Sequence, residues 1–178
     1  MQKEVILAGF GGQGILSGGQ IIAHAAMVQG LNVTYFPSYG GEVRGGTANC
    51  TVVISEKKIG SPVVNRPLSA IILNPPSLDR FGPAVKPSGH IFVNSSLISR
   101  KLDRNDAEVF YVPANELARG LGDERMATLV MVGAYIGKTG VVSIDSMREA
   151  LKYFFSKSKN SLVDLNEKAI LAGGNSIA

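Results

Sequence analysis

A chain of 178 residues, 45% hydrophobic and 18% charged, can build one well-buried core and is short for two. Its net charge of +4 is scattered, with short basic clusters only at Lys57-Lys58 and Lys152 to Lys159, which reads as a solvated surface and not a nucleic-acid footprint. The single cysteine, Cys50, excludes an internal disulfide and a four-thiolate iron–sulfur cluster held by this chain alone. No stretch approaches the roughly 18 uninterrupted apolar residues of a membrane span, and the N-terminus enters a short apolar strand without a leader-like run. The expectation is a cytoplasmic protein that binds neither membrane nor nucleic acid, whose positive bias suits an acidic partner or a phosphorylated cofactor.

Val5 to Ala8 is a continuous apolar run ended by glycine, the pattern of a strand buried on both faces. Ile15 to Gln29 carries Leu16, Ile22, Ala23, Ala26 and Met27 at helical spacing, with Gly30 placed to stop it, and Val33 to Phe36 reads as a second strand. Strand, glycine turn, helix and strand predict one βαβ unit. Ala48 to Ser55 alternates and is rich in Val and Thr, a third strand, and Lys57 to Gly60 is a turn.

Leu68 to Leu73 is a further buried-type strand, followed by Asn74 as N-cap and Pro75 at the first position of a short helix to Phe81. His90 to Asn94 and Val109 to Val112 follow as strands, then helical periodicity over Ala114 to Leu121 and Ala127 to Ile136. Ser143 caps a helix to about Phe155, and a last helix from Leu162 to Leu171 is expected to stop at Gly173. The fold class predicted is α/β: one domain over residues 1–178, with an open, mostly parallel sheet, helices on both faces and a Rossmann-like glycine turn after strand 1.

Gly9-Phe10-Gly11-Gly12-Gln13-Gly14 satisfies G-x-G-x-x-G between a predicted strand and helix. Glycines there permit close backbone approach, and the unpaired N–H groups at the helix start attract an anion such as phosphate or carboxylate. A dinucleotide site also needs an acid near the end of strand 2 to hold the ribose. Here the strand ends Thr34-Tyr35-Phe36-Pro37, and the first acid is Glu42, well into a loop. The turn is therefore read as a site for another phosphorylated ligand or as packing glycine, with NAD(P) the weaker alternative. The loop Pro37 to Cys50 lies beyond strand 2 and places Glu42 and Arg44 around Val43, an exposed guanidinium that could pair with Glu42 or meet a carboxylate or phosphate.

Gly9 to Gly14 together with Ser38-Tyr39-Gly40 and Glu42-Val43-Arg44-Gly45-Gly46 resembles the gamma subunit of 2-oxoacid:ferredoxin oxidoreductases. The resemblance continues through Ile59-Gly60-Ser61-Pro62, Asn74-Pro75-Pro76-Ser77-Leu78 and Gly133-Ala134, about the first 140 residues. Gly41 stands where the family commonly has proline, and Thr128 where it has asparagine. The wording of Ser38 to Cys50 is nearest the 2-oxoglutarate branch, with pyruvate and 2-oxoisovalerate behind it.

The resemblance implies an accessory subunit of an oxidoreductase in anaerobic metabolism. The whole enzyme decarboxylates a 2-oxoacid oxidatively to an acyl-coenzyme A and reduces ferredoxin. Alpha and beta subunits, with delta as a further one, would be its partners, and thiamine diphosphate, magnesium and 4Fe–4S clusters would reside in them. On this reading no residue here is catalytic and none binds metal. Gly9, Gly11, Gly12, Gln13, Gly14, Ser38, Tyr39, Gly40, Glu42, Arg44, Gly45 and Gly46 would face the other subunits and coenzyme A. An NAD(P)-binding Rossmann oxidoreductase and a purely structural assembly domain stay open beside it. His24, His90 and Cys50 read as packed or surface groups, not as bases or nucleophiles.

Overall fold

The computed structural model describes residues 2–39, 46–155 and 160–177 and holds one six-stranded sheet. Its strands are β1 (Gln2–Phe10), β2 (Asn32–Tyr39), β3 (Thr47–Ser55), β4 (Ser69–Ile72), β5 (His90–Asn94) and β6 (Glu108–Val112), in the spatial order β2-β3-β1-β4-β5-β6. The helices are α1 (Ile15–Val28), α2 (Pro75–Phe81), α3 (Ala114–Gly120), α4 (Ala127–Thr139), α5 (Ile144–Phe154) and α6 (Asn160–Asn175), with a 3-10 turn at Glu124–Met126. Strands β1, β4, β5 and β6 are parallel, while β3 is antiparallel to both its neighbours. The sheet is thus mixed and mostly parallel, as the alternation of strands and helices implied.

The expected β1-α1-β2 crossover is present, since β1 and β2, each antiparallel to β3, run parallel to one another, but the two do not pair. Strand β3 lies between them, in register from Gln2↔Ser55 to Phe10↔Thr47 on one side and from Asn32↔Ser55 to Tyr39↔Ala48 on the other. The physical reason is locality: β3 follows β2 closely in sequence, so an antiparallel ladder closes at little entropic cost and its far edge is free for β1.

Alternation along the strands sends two side-chain sets to opposite faces. Val5, Leu7, Cys50, Val52, Ile54, Ile71 and Phe92 join residues of α1, α3, α4, α5 and α6 in the larger core. Ala70, Ile72, Ile91 and Val93 meet Leu78 of α2, Val85 and Ile98 in a smaller one. Helices therefore cover both faces, unevenly, with α2 the one helix of the second face among the described residues.

Local signals set the helix starts. Asn74 Oδ1 accepts from the Ser77 N–H at 2.9 Å with Pro75 next in line, and Ser143 Oγ accepts from the Ser146 N–H at 3.1 Å. The expected stop at Gly173 is wrong, since α6 runs on to Asn175. A Cβ at Gly173 would lie 1.8 Å from the Val130 carbonyl oxygen, and one at Gly133 would lie 1.9 Å from that of Ile170. Gly173 is there to let α6 press its backbone onto α4. No helix among the described residues is long and apolar enough to cross a membrane.

Candidate functional site

From β1 the chain proceeds through α1 to the β2–β3 side of the sheet, and from β4 it proceeds through α2 to β5 on the opposite side. Strand order thus reverses between β1 and β4, and in an open α/β sheet the crevice beyond their carboxyl ends is where ligands bind. Gly11 to Gly14 leave β1 there, and Leu73 and Asn74 leave β4, with the Leu73 N–H donating to the Ala8 carbonyl at 2.9 Å. The crevice holds a cleft of about 290 Å³ lined by Gly12, Gln13, Leu73, Asn115, Glu124, Arg125 and Ala127.

The glycine turn is braced from within. Gln13 folds back so that its Oε1 accepts the Phe10 N–H at 2.6 Å, and its own N–H donates to the Phe10 carbonyl at 3.2 Å. Gly12 and Gly14 have φ of 95° and 80°, the left-handed region that glycine enters without a side-chain penalty. Among the described residues the N–H groups of Gly12 and Gly14 have no hydrogen-bond partner, and α1 begins immediately after them with no acidic residue in its first turn. Unpaired N–H groups at a helix start give the edge a fixed positive potential. Gly9 is a packing residue, because a Cβ there would lie 2.5 Å from Gln13 Oε1 and 2.7 Å from Ile15 Cδ1.

Ser38 and Tyr39 close β2, and Gly46 precedes β3, at the same end of the sheet as the turn. The Gly11 N–H donates to the Gly46 carbonyl at 2.9 Å, so the two glycine segments are joined directly. Gly40, Glu42, Arg44 and Gly45 lie outside the described residues.

Sequence reasoning missed the wall opposite the turn. Asn94 Nδ2 donates to Asn115 Oδ1 at 2.7 Å, and Asn115 Nδ2 donates to Glu124 Oε1 at 2.9 Å. Arg119 reaches the same Glu124 oxygen at 3.1 Å. Asn115 and then Arg119 hold the Glu124 carboxyl below its usual range. Arg125 grips Asp123 through Nε and a terminal nitrogen, at 3.0 and 2.7 Å, which holds that carboxyl below its usual range too. Arg125 also borders a second, more apolar cleft of about 310 Å³ containing Gly14, Gly18, Ile21 and Leu129. Asn115, Arg119, Asp123, Glu124 and Arg125 lie more than a hundred positions from the turn, and no spacing rule connects them to it.

The groups able to do chemistry elsewhere are committed to packing. Burial pushes the Cys50 thiol up to about 12, against opposing backbone hydrogen bonds at Leu7 and Gly19. The His24 ring stacks on Tyr153 with centroids 4.2 Å apart. Burial holds His90 below the usual histidine range despite the Glu108 carboxylate nearby. Among the described residues no group of three His, Cys, Asp or Glu side chains is arranged to hold a metal ion.

The family profile described as pyruvate ferredoxin/flavodoxin oxidoreductase matches residues 4–176. The chain belongs to that family. Ketoisovalerate oxidoreductase subunit VorA of Methanothermobacter thermautotrophicus is 42% identical over 97% of this chain, which spans only 36% of that relative's length. The 2-oxoglutarate synthase subunit KorC of Methanothermobacter marburgensis is 33% identical, with 85% of this chain and 86% of the relative covered. Among solved structures, the keto/oxoacid ferredoxin oxidoreductase gamma subunit of Geobacter sulfurreducens superposes with a TM-score of 0.82 at 29% identity, over 98% of both chains. Relatives in this family therefore include both compact gamma-type subunits and longer polypeptides that contain such a region.

Proposed function

We propose that this chain is the gamma-type part of a cytoplasmic 2-oxoacid:ferredoxin oxidoreductase, and that its glycine edge contributes to subunit assembly and to the coenzyme A site. The observation carrying this reading is the pair of N–H groups, at Gly12 and Gly14, without a partner among the described residues, at the β1/β4 switch point and joined through Gly11 to the Gly46 end of the second glycine loop. An anionic ligand with several phosphates matches that chemistry, Arg44 is the forked donor proposed for it, and Arg125, held by Asp123, borders the cleft. The oxidative step belongs to partner chains bearing thiamine diphosphate and iron–sulfur clusters, since one inert cysteine cannot supply the thiolates of a cluster. The partners are alpha and beta subunits, with delta as a further one, and ferredoxin accepts the electrons.

The 2-oxoacid proposed is 2-oxoglutarate, on the wording of Ser38 to Cys50. The higher identity to a ketoisovalerate subunit supports a branched-chain 2-oxoacid as the second reading. Purification of the native complex with turnover on each 2-oxoacid separates the two.

The experiment for the ligand role replaces Arg44 by Ala in the reconstituted complex. Loss of a charge-assisted contact worth roughly 1.5–3 kcal/mol raises the KM for coenzyme A about tenfold or more and leaves that for the 2-oxoacid nearly unchanged. Glu42→Gln is measured alongside, as the control for an ion pair between Glu42 and Arg44. Assembly with wild-type coenzyme A kinetics rejects the ligand role and leaves subunit contact as the function of the loop.

A further inference from the structure

We infer that Thr128 is a positioning residue for the glycine turn, an inference that rests on the proposed coenzyme A role of that edge. Thr128 is the second residue of α4 and is only 3% exposed. Its hydroxyl donates to the Gln13 carbonyl across 115 positions of sequence. Its Cβ and methyl carbon also face α1, for an added Cβ would lie 3.9 Å from Thr128 Cβ at Gly14 and 2.9 Å from Thr128 Cγ2 at Gly18. One buried side chain thus touches the last peptide of the turn, the N-cap of α1 and the next turn of that helix.

The consequence follows from peptide geometry. The Gln13 carbonyl and the Gly14 N–H belong to one trans peptide, so they point in opposite directions. By drawing the carbonyl inward, Thr128 turns the Gly14 N–H away from α4. Gln13 restrains the other side of the same turn through its Oε1 bond to the Phe10 N–H. Without the hydroxyl, the 13–14 peptide loses its one hydrogen bond among the described residues, because the Gln13 carbonyl has no other partner there and the Gly14 N–H has none. The arrangement is a hydrogen-bonded strut between α4 and the turn, and it contributes orientation without touching the ligand.

The test compares Thr128→Val, which keeps the shape and removes the hydroxyl, with Thr128→Ser, which keeps the hydroxyl. In the reconstituted complex, Thr128→Val raises the KM for coenzyme A about fivefold, the value of one ordinary hydrogen bond, with the 2-oxoacid KM and kcat within twofold of wild type. Thr128→Ser restores the coenzyme A constant. In the nitrogen-15 spectrum of the full chain, the Gly14 amide resonance moves in Thr128→Val and stays in place in Thr128→Ser. If the valine variant does not assemble, Thr128→Ala is set against Thr128→Ser, a pair that differs only in the hydroxyl.

Gly12→Ala is the reference, since it disturbs the turn itself through its positive φ. A raised coenzyme A KM in Gly12→Ala with wild-type behaviour in Thr128→Val overturns the positioning role alone. A Gly14 resonance that shifts in Thr128→Val while neither variant alters coenzyme A kinetics overturns the coenzyme A reading of this edge and, with it, the functional part of the inference. An unmoved Gly14 resonance overturns the strut.

Discussion

The α4–α6 contact makes a quantitative prediction about Gly173. In an exposed helix Gly→Ala is worth about 1 kcal/mol in favour of the variant. At Gly173 the added Cβ falls 1.8 Å from the Val130 carbonyl oxygen, 2.7 Å from its carbon and 2.9 Å from the Ala134 nitrogen, all of them backbone atoms that cannot swing aside. Ordinary contact begins at 3.4 Å, so the two backbones have to part by about 1.6 Å. A gap of even 0.5–1 Å forfeits roughly a quarter to a half of each dispersion contact along the seam.

Overpacking of this kind costs about 3 kcal/mol, at the upper end of its usual range. Offset by the propensity gain, Gly173→Ala destabilises by about 2 kcal/mol, a fall of roughly 4–8 °C in Tm for a chain of this size. Gly174→Ala is the matched control: its Cβ meets the Gly133 carbonyl oxygen at 3.5 Å and the Gly137 Cα at 4.0 Å, both ordinary contacts, so it is neutral or stabilising. Thermal and urea unfolding of both variants decide the matter. A Gly173→Ala protein as stable as wild type, or a Gly174→Ala protein that falls with it, refutes the close-approach argument.

Two further expectations concern titratable groups. His90 is held below its usual value by burial, so the unfolded chain takes up a proton near pH 6.5 while the folded chain does not. Stability is therefore lost as pH falls below about 6.5, until the lower folded value is passed; urea midpoints at pH 7.5 and 5.5 should show a drop that His90→Gln reduces, and an equal drop in both proteins removes His90 from the account. Cys50, pushed up to about 12, is roughly one part in ten thousand thiolate at pH 8. A disulfide reagent should leave the native chain unmodified over hours and label it fully in urea, and stoichiometric labelling of the native chain within minutes would contradict its burial.

Sequence alone was enough wherever the determining atoms are neighbours along the chain. The continuous run Val5 to Ala8 announced a strand buried on both faces, and Asn74-Pro75 and Ser143 announced helix starts because an N-cap bonds a backbone N–H only three residues away. The glycine turn was legible for the same reason: strand, turn and helix start follow one another within fifteen residues. What lay beyond local reach was read incompletely. Gly173 has the sequence mark of a helix stop, yet its role is set by Val130, more than forty residues earlier.

Strand β3 between β1 and β2 illustrates the same limit, since composition says that a segment is a strand but not which edges it joins. The wall of Asn115, Glu124 and Arg125, and the Thr128 hydroxyl beneath the turn, became part of the site only when α4 packed against α1. The sequence by itself determined the elements, the capped starts of α2 and α5 and the glycine turn after β1, because those depend on hydrogen bonds within a few residues. Tertiary structure alone decided strand order, the glycine contact between helices and the residues surrounding the turn, because each depends on packing between segments whose separation in sequence carries no record of their separation in space.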